Sequence, residues 1–220
     1  MAIADIHRYI DHSVLKPEMT PQEAAEAIEL GLRYCCRTVC VRPCDIVLAT
    51  RLCQGTTTDV CCTLAFPHGL QLSDSKADEA RRYVGLGVRE IDMVIHYGLL
   101  RAGLWQEATQ DVAAVTAVTK PAGVLLKVIL ETSALSIEQI RRGTLACVAA
   151  GADFVKTSTG FSSQGATREA VAAMLQAAAG RAAVKASGGI RDRAAAEMFL
   201  DMGCARIGVG YASTPVICGQ

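Results

Sequence analysis

"GADFVKTSTG", residues 151–160, sets the apolar pair Phe154-Val155 directly against Lys156 and then against Thr157, Ser158, Thr159 and Gly160. The same order returns at "AAVKASGG", 182–189, where Lys185 precedes Ala186, Ser187 and two glycines. Short runs of β-branched and aromatic residues bounded by Gly and Ser read as strands. An ammonium group near the end of such a strand, followed by small residues, is a pattern that asks for a chemical reason.

Working outward from these two runs, six more strand candidates appear at 9–15, 37–43, 58–67, 89–98, 124–132 and 205–210. Between them lie amphipathic segments at 20–32, 73–87, 136–151, 167–180 and 191–203, several opening with Ser, Thr or Asp and closing with Gly. Those are helix start and stop signals. Strands alternating with helices on a repeat near 25–30 residues predict an α/β fold of the (β/α)8 TIM-barrel type, compact beside the roughly 250 residues usual for it. An open doubly wound sheet is the competing fold, but no G-x-G-x-x-G follows the first strand. No Pro/Ser-rich linker interrupts the chain, so residues 1–220 read as a single barrel domain.

Composition narrows the function. The 220 residues are 51% hydrophobic and 20% charged, with 22 basic and 22 acidic side chains and a formal net charge of zero. A neutral chain without a basic stripe is not built for nucleic acid. No run approaches the roughly 18 apolar residues of a membrane helix, and "MAIADIHRYIDHS" lacks the apolar core of a signal peptide. A cytoplasmic protein is expected. Ten cysteines contain no C-x-x-C pair and no matching His spacing, so they read as reduced thiols, with Cys40, Cys61 and Cys62 as small hydrophobes in buried strands. Four histidines without an acidic cluster argue against a metal site. His12, His68 and His96 read as structural or loop residues.

In a barrel of this kind the chemistry sits at the C-terminal ends of the strands. Asp92, Lys127, Lys156 and Lys185 lie in the last halves of theirs, with His96 and Glu131 just beyond. Strand alternation puts Phe154, Lys156 and Ser158 on one face; Ala183, Lys185 and Ser187 on one; Glu90, Asp92 and Val94 on one. Turned inward, those faces bring two lysines and a carboxylate together at the mouth. Turned outward, the lysines would merely pair with helix acids or snorkel to water. An amine nucleophile must be neutral, and the ordinary lysine pKa of about 10.4 leaves few neutral at pH 7. Desolvation and a second ammonium are the means of lowering it. The glycines of "ASGGIRD" suggest a strand running to a helix N-terminus that holds phosphate with backbone N–H groups, or else an ordinary βα turn.

Six stretches together resemble the deoxyribose-phosphate aldolase family: "IDHSVLKP" (10–17), "VCVRP" (39–43), "EIDMVIHYG" (90–98), "LKVILET" (126–132), "GADFVKTSTGF" (151–161) and "VKASGGIRD" (184–192). They fall in the family's order and cover nearly the whole chain. The resemblance implies a class I aldolase on a TIM barrel with no metal or organic cofactor. Its reaction is the reversible cleavage of 2-deoxy-D-ribose 5-phosphate to acetaldehyde and D-glyceraldehyde 3-phosphate.

By the same resemblance Lys156 forms the Schiff base, Lys185 tunes the pKa of that amine and shuttles protons, and Asp92 is the acid/base partner. Asp11 and Thr157 line the sugar-hydroxyl pocket, and Lys127 the polar barrel interior. Gly160, Gly188, Gly189, Gly208 and Gly210 line the rest of the phosphosugar site. The partners implied are small phosphosugars and aldehydes, and the outer helix faces leave monomer and homodimer both open.

Three departures touch the site. Val209, Gly210 and Tyr211 stand where the family usually carries small hydroxyl residues, Gln164 where a glycine is common, and His96 where asparagine is usual. The first change puts the phosphate grip in question, since the Tyr211 ring either crowds the phosphate or donates to it. Two other readings remain open. One is a lysine-dependent aldolase for a different or unphosphorylated aldehyde; the other is a catalytically silent phosphosugar-binding barrel.

Overall fold

The β-branched runs become strands in the computed structural model, which describes residues 3–219. They are β1 (Ile10–Val14), β2 (Thr38–Val41), β3 (Asp59–Leu64), β4 (Glu90–Val94), β5 (Leu125–Ile129), β6 (Phe154–Lys156), β7 (Ala183–Ser187) and β8 (Arg206–Gly210). All neighbours pair in parallel and in chain order, and β8 returns to β1 to close the barrel. The expected (β/α)8 fold is the observed one.

Helices α1 (Pro21–Arg33), α2 (Ile46–Cys53), α3 (Ser73–Gly85), α4 (Tyr97–Ala102), α5 (Trp105–Thr119), α6 (Ile137–Ala149), α7 (Arg168–Ala178), α8 (Arg193–Asp201) and α9 (Thr214–Cys218) surround it. Local chemistry fixes their starts. Thr20 and Glu23 form a reciprocal capping box ahead of Pro21 in α1, and Ser136 with Gln139 does the same for α6. None of these helices is long and apolar enough to cross a membrane. Helices α2, α4, α5 and α9 were not expected. The first is a short, mostly apolar run and α5 is rich in Val and Thr, residue types that also suit strands.

The two faces of the sheet differ sharply. Outward-pointing Ile10, Val39, Val41, Leu64, Ile91, Met93, Leu126, Val128, Val155, Val184 and Ile207 meet the helices in one aliphatic core. Each such side chain contributes about 1.5–3 kcal/mol on full burial. Barrel interiors are usually filled by branched aliphatic layers as well. Here the inward face carries Asp11, Cys61, Glu90, Asp92, Lys127, Lys156, Lys185 and Arg206, every one of them buried.

Candidate active site

Strand register assembles this interior. Pairing sets Asp92 beside Lys127 on β4 and β5, Lys156 beside Lys185 on β6 and β7, and Lys185 beside Arg206 on β7 and β8. Residues paired across parallel strands share a face, so the lysines point inward and the snorkelling alternative is excluded. The carboxylate of Asp92 is the hub. Its Oδ2 accepts from Lys156 Nζ at 2.7 Å and Lys185 Nζ at 2.8 Å. Its Oδ1 accepts from Lys127 Nζ at 2.9 Å and the Cys61 thiol at 3.3 Å.

Further down, Lys127 pairs with Glu90 at 2.5 Å and approaches Asp11 at 3.4 Å, while Lys185 also donates to Asp11. Arg206 reaches Glu90 at 3.1 Å with its guanidinium over the Phe154 ring, 5.3 Å from the centroid. Four cations (Lys127, Lys156, Lys185, Arg206) thus face three carboxylates (Asp11, Glu90, Asp92) inside the barrel. Arg37, at the rim below, is matched by Asp59 at 3.0 Å.

Burial alone would push the acids up and the lysines down; the mutual attraction wins. The lysines around them hold Asp11 and Asp92 well below the usual carboxylate range. Burial opposes the charge on Lys127 and Lys185, yet Asp11 and Asp92 outweigh it and hold both above the ordinary lysine value. Those two ammonium groups are fixtures of the site.

Above the network a cavity of about 420 Å³ opens at the C-terminal mouth. Lys156 is the member of the network that reaches its wall, and Gly160, Gly188, Gly189, Gly208 and Gly210 also line it. Gly208 is required by contact: a Cβ there would sit 2.8 Å from Ser187 Cβ and 3.1 Å from Lys185 Cε. Gly188 needs its positive φ of 87° and has Gly165 packed against it. The remaining lining includes Ser13, Lys16, Phe161, Arg191, Tyr211 and Ser213.

Several expectations need correction. Thr157 was placed in the sugar pocket, but alternation turns it away from the barrel interior. Its hydroxyl donates to the Ser187 carbonyl and accepts from the Ser187 N–H, each at 3.0 Å, clamping β6 to β7. Asp11 is fully buried beneath the cavity on Lys185, not on the wall. The helix N-terminus of α8 is already capped by the Asp192 carboxylate, which accepts from Ala195 N–H at 2.8 Å, so that N–H is not free for a ligand. Cys61 is no simple hydrophobe, given its polar contacts with Asp92 and Lys127.

The substituted positions also find places. Gln164 is exposed and off the cavity wall. Tyr211 lies at the wall with the Lys16 ammonium over its ring, 5.6 Å from the centroid. His96 starts the turn into α4, and its backbone N–H donates to Asp111 at 3.1 Å. His12 is buried outside the barrel between Thr214 Oγ1 and the Ala27 carbonyl, both at 2.8 Å. Burial pushes its pKa down to about 4, as befits a neutral structural residue.

Glu90 was read only as a face-mate of Asp92, and Arg206, Lys16, Arg191 and Ser213 were missed. Period-2 alternation from Gly208 back to Arg206 was the available signal for one of them. Among the described residues, the cluster with donors close enough for a metal ion is Cys40, Cys61 and Asp92. Three ammonium groups already occupy the Asp92 oxygens, so an added cation would have to displace them.

The fold, with an amine at the cavity wall bonded to a carboxylate buried beneath it, has the build of an enzyme site at the C-terminal end of a barrel. The chain belongs to the DeoC/LacD aldolase family, whose model matches residues 6–209. It is 40% identical over 208 residues, 94% of each chain, to the deoxyribose-phosphate aldolase of Natranaerobius thermophilus. Among solved structures, an aldolase designated QR15 superposes with a TM-score of 0.90 at 34% identity, over 96% of this chain and 93% of that one. The tetrameric deoxyribose phosphate aldolase of Aeropyrum pernix superposes with a TM-score of 0.89 at 27% identity, over 97% and 90%.

Proposed function

We propose that this chain reversibly cleaves 2-deoxy-D-ribose 5-phosphate to acetaldehyde and D-glyceraldehyde 3-phosphate through a Schiff base on Lys156. One observation carries the reading: Lys156 is the network member that both reaches the cavity wall and bonds to Asp92, at 2.7 Å. Attack on a carbonyl requires its amine to be neutral. A neutral Lys156 leaves three cations against three carboxylates in the interior, so the reactive state is the charge-balanced one.

The amine adds to C1 of the open-chain sugar, and loss of water gives the iminium. The C3 hydroxyl then gives up its proton, directly or through water, to Asp92. The C2–C3 bond breaks, and its electron pair flows toward the iminium nitrogen to form an enamine. Glyceraldehyde 3-phosphate leaves, C2 takes back a proton, and hydrolysis of the iminium releases acetaldehyde. Lys185, charged and bonded to Asp92 Oδ2, holds the carboxylate in place and completes the proton path. Lys16, Arg191 and the Gly188–Gly189 backbone supply the phosphate end of the cavity. Catalysis of this kind needs no metal or organic cofactor. We place it in the cytoplasm, where thiols stay reduced.

Borohydride trapping with acetaldehyde, followed by peptide mass mapping, tests the reading. The expected product is a reduced ethyl adduct on Lys156. An adduct elsewhere, or none, overturns the assignment. Rates on deoxyribose with and without its 5-phosphate then measure the phosphate grip.

A further inference from the structure

Cys61 lies in β3 with its side chain turned into the barrel and no solvent exposure. A buried free cysteine ordinarily packs as a small hydrophobe. This one is set among charges: Sγ is 3.3 Å from Asp92 Oδ1 and 3.3 Å from Lys127 Nζ, and it faces Cys40 across the β2–β3 pairing. The contacts fix the direction of each bond. Lys127 has only protons to give, so sulfur accepts from it; Asp92 is a carboxylate, so the S–H donates to it. Burial pushes the Cys61 thiol well above its ordinary pKa, with the nearby Asp92 charge adding to the effect, so the donor proton is retained.

The carboxylate of Asp92 is therefore gripped from both flanking strands. Lys127 holds Oδ1 from β5 and Cys61 holds it from β3, while Oδ2 is left to Lys156 and Lys185. Cys40 stands farther off, 3.9 Å from Oδ2. The β3 contact is thus the donor to Oδ1 on the side away from Lys127, and it adds to the hold that Lys156 and Lys185 keep on Oδ2. We propose that Cys61 is a positioning residue for the reaction: its thiol sets the rotation of Asp92 that keeps Oδ2 on Lys156 and Lys185. This rests on the assignment of Lys156 and Asp92 to the chemistry.

The test compares Cys61→Ala, Cys61→Val and Cys61→Ser. Alanine removes the donor and leaves a void, valine fills the space without a donor, and serine keeps one. Steady-state kinetics with deoxyribose 5-phosphate give kcat and KM, and NMR follows exchange of the acetaldehyde methyl protons in D2O, a step that needs proton transfer at the enamine. Alanine and valine should each lose about three- to ten-fold in kcat and exchange rate, with KM within about two-fold, and serine should recover most of the loss. Wild-type kcat and exchange in the alanine or valine variant would overturn the proposal, as would a serine variant no faster than alanine. Borohydride trapping keeps the two readings apart. Wild type and all three variants should yield the Lys156 adduct, whereas a wild-type chain that traps nothing overturns the assignment of Lys156 itself.

Discussion

The inner and outer faces of the same eight strands are governed by opposite rules. Outside, Leu126 and Val128 join an aliphatic core in which an apolar side chain of similar volume would serve. Inside, Lys127 between them meets Glu90, Asp92, Asp11 and Cys61, and every partner is specific. The outer face holds the barrel together, and the inner face holds one amine and one carboxylate in register. Buried ion pairs are poor sources of stability because desolvation consumes most of their attraction. Their retention here argues for a chemical purpose.

The largest effect expected from breaking the inner face is on rate. Lys156→Ala removes the proposed nucleophile and should lower kcat by roughly 10⁴–10⁶-fold, the scale seen when a covalent nucleophile is deleted. The fold should survive, because Lys156 has a single carboxylate partner and its loss leaves the interior charge-balanced. A variant that retains substantial turnover would contradict the Schiff-base assignment, and circular dichroism with a thermal melt checks the fold.

Next in size is a pair of neighbours on β5. Lys127→Met strips four polar partners at once and should destabilise the chain by about 3–5 kcal/mol, with activity falling too because Asp92 loses its Oδ1 anchor. Leu126→Ala should cost about 2–5 kcal/mol through the cavity it leaves. Activity per folded molecule should then stay near wild type, since the residue faces the helices. Urea midpoints and kcat for both variants read the two faces separately. Equal losses of activity would erase the distinction.

Acid should separate the faces as well, with the outer one responding first. His12 has its pKa lowered from 6.5 to about 4 by burial, so the unfolded chain binds its proton more readily. Its stability contribution is complete above pH 6.5 and is lost as pH falls toward 4, a change of about 3 kcal/mol at most. Asp11 and Asp92 are likewise depressed, but from the carboxylate range, so their contribution is lost only below about pH 4. Urea midpoints from pH 7 to 4 should fall in wild type and stay much flatter in His12→Gln.

The two faces were not equally legible in the sequence. The outer face was, because β-branched runs announce strands, and all eight strands were placed. The inner face was legible where a charge interrupted such a run, as at Asp92, Lys127, Lys156 and Lys185. It was obscured where the residue type suited a hydrophobic strand, as at Cys61, or stood at a strand's first position, as at Arg206. Their partners come from other strands and meet only through the register. The helices of the second and fourth βα units were missed for a different reason: α2 is eight residues long and almost wholly apolar, and the buried stripe of α5 mixes Ala and Val with Asp111, Thr116 and Thr119.

Thr157 marks the boundary between the faces, and the smallest expected effect tests it. A residue lining the sugar pocket would change KM when altered, and family resemblance alone assigned it there. The structure gives its hydroxyl two bonds to the Ser187 backbone, one donated and one accepted. Thr157→Val keeps the shape and removes both bonds, leaving the Ser187 N–H without that partner. The loss should be about 1–2 kcal/mol of stability with KM for deoxyribose 5-phosphate within about two-fold of wild type. A KM raised ten-fold without loss of stability would return Thr157 to the pocket, and would mean that β6 turns its face within one residue of Lys156. A small KM change with a lowered urea midpoint makes Thr157 a clamp, and the one-residue alternation that separates it from Lys156 becomes the element that keeps the nucleophile pointed at Asp92.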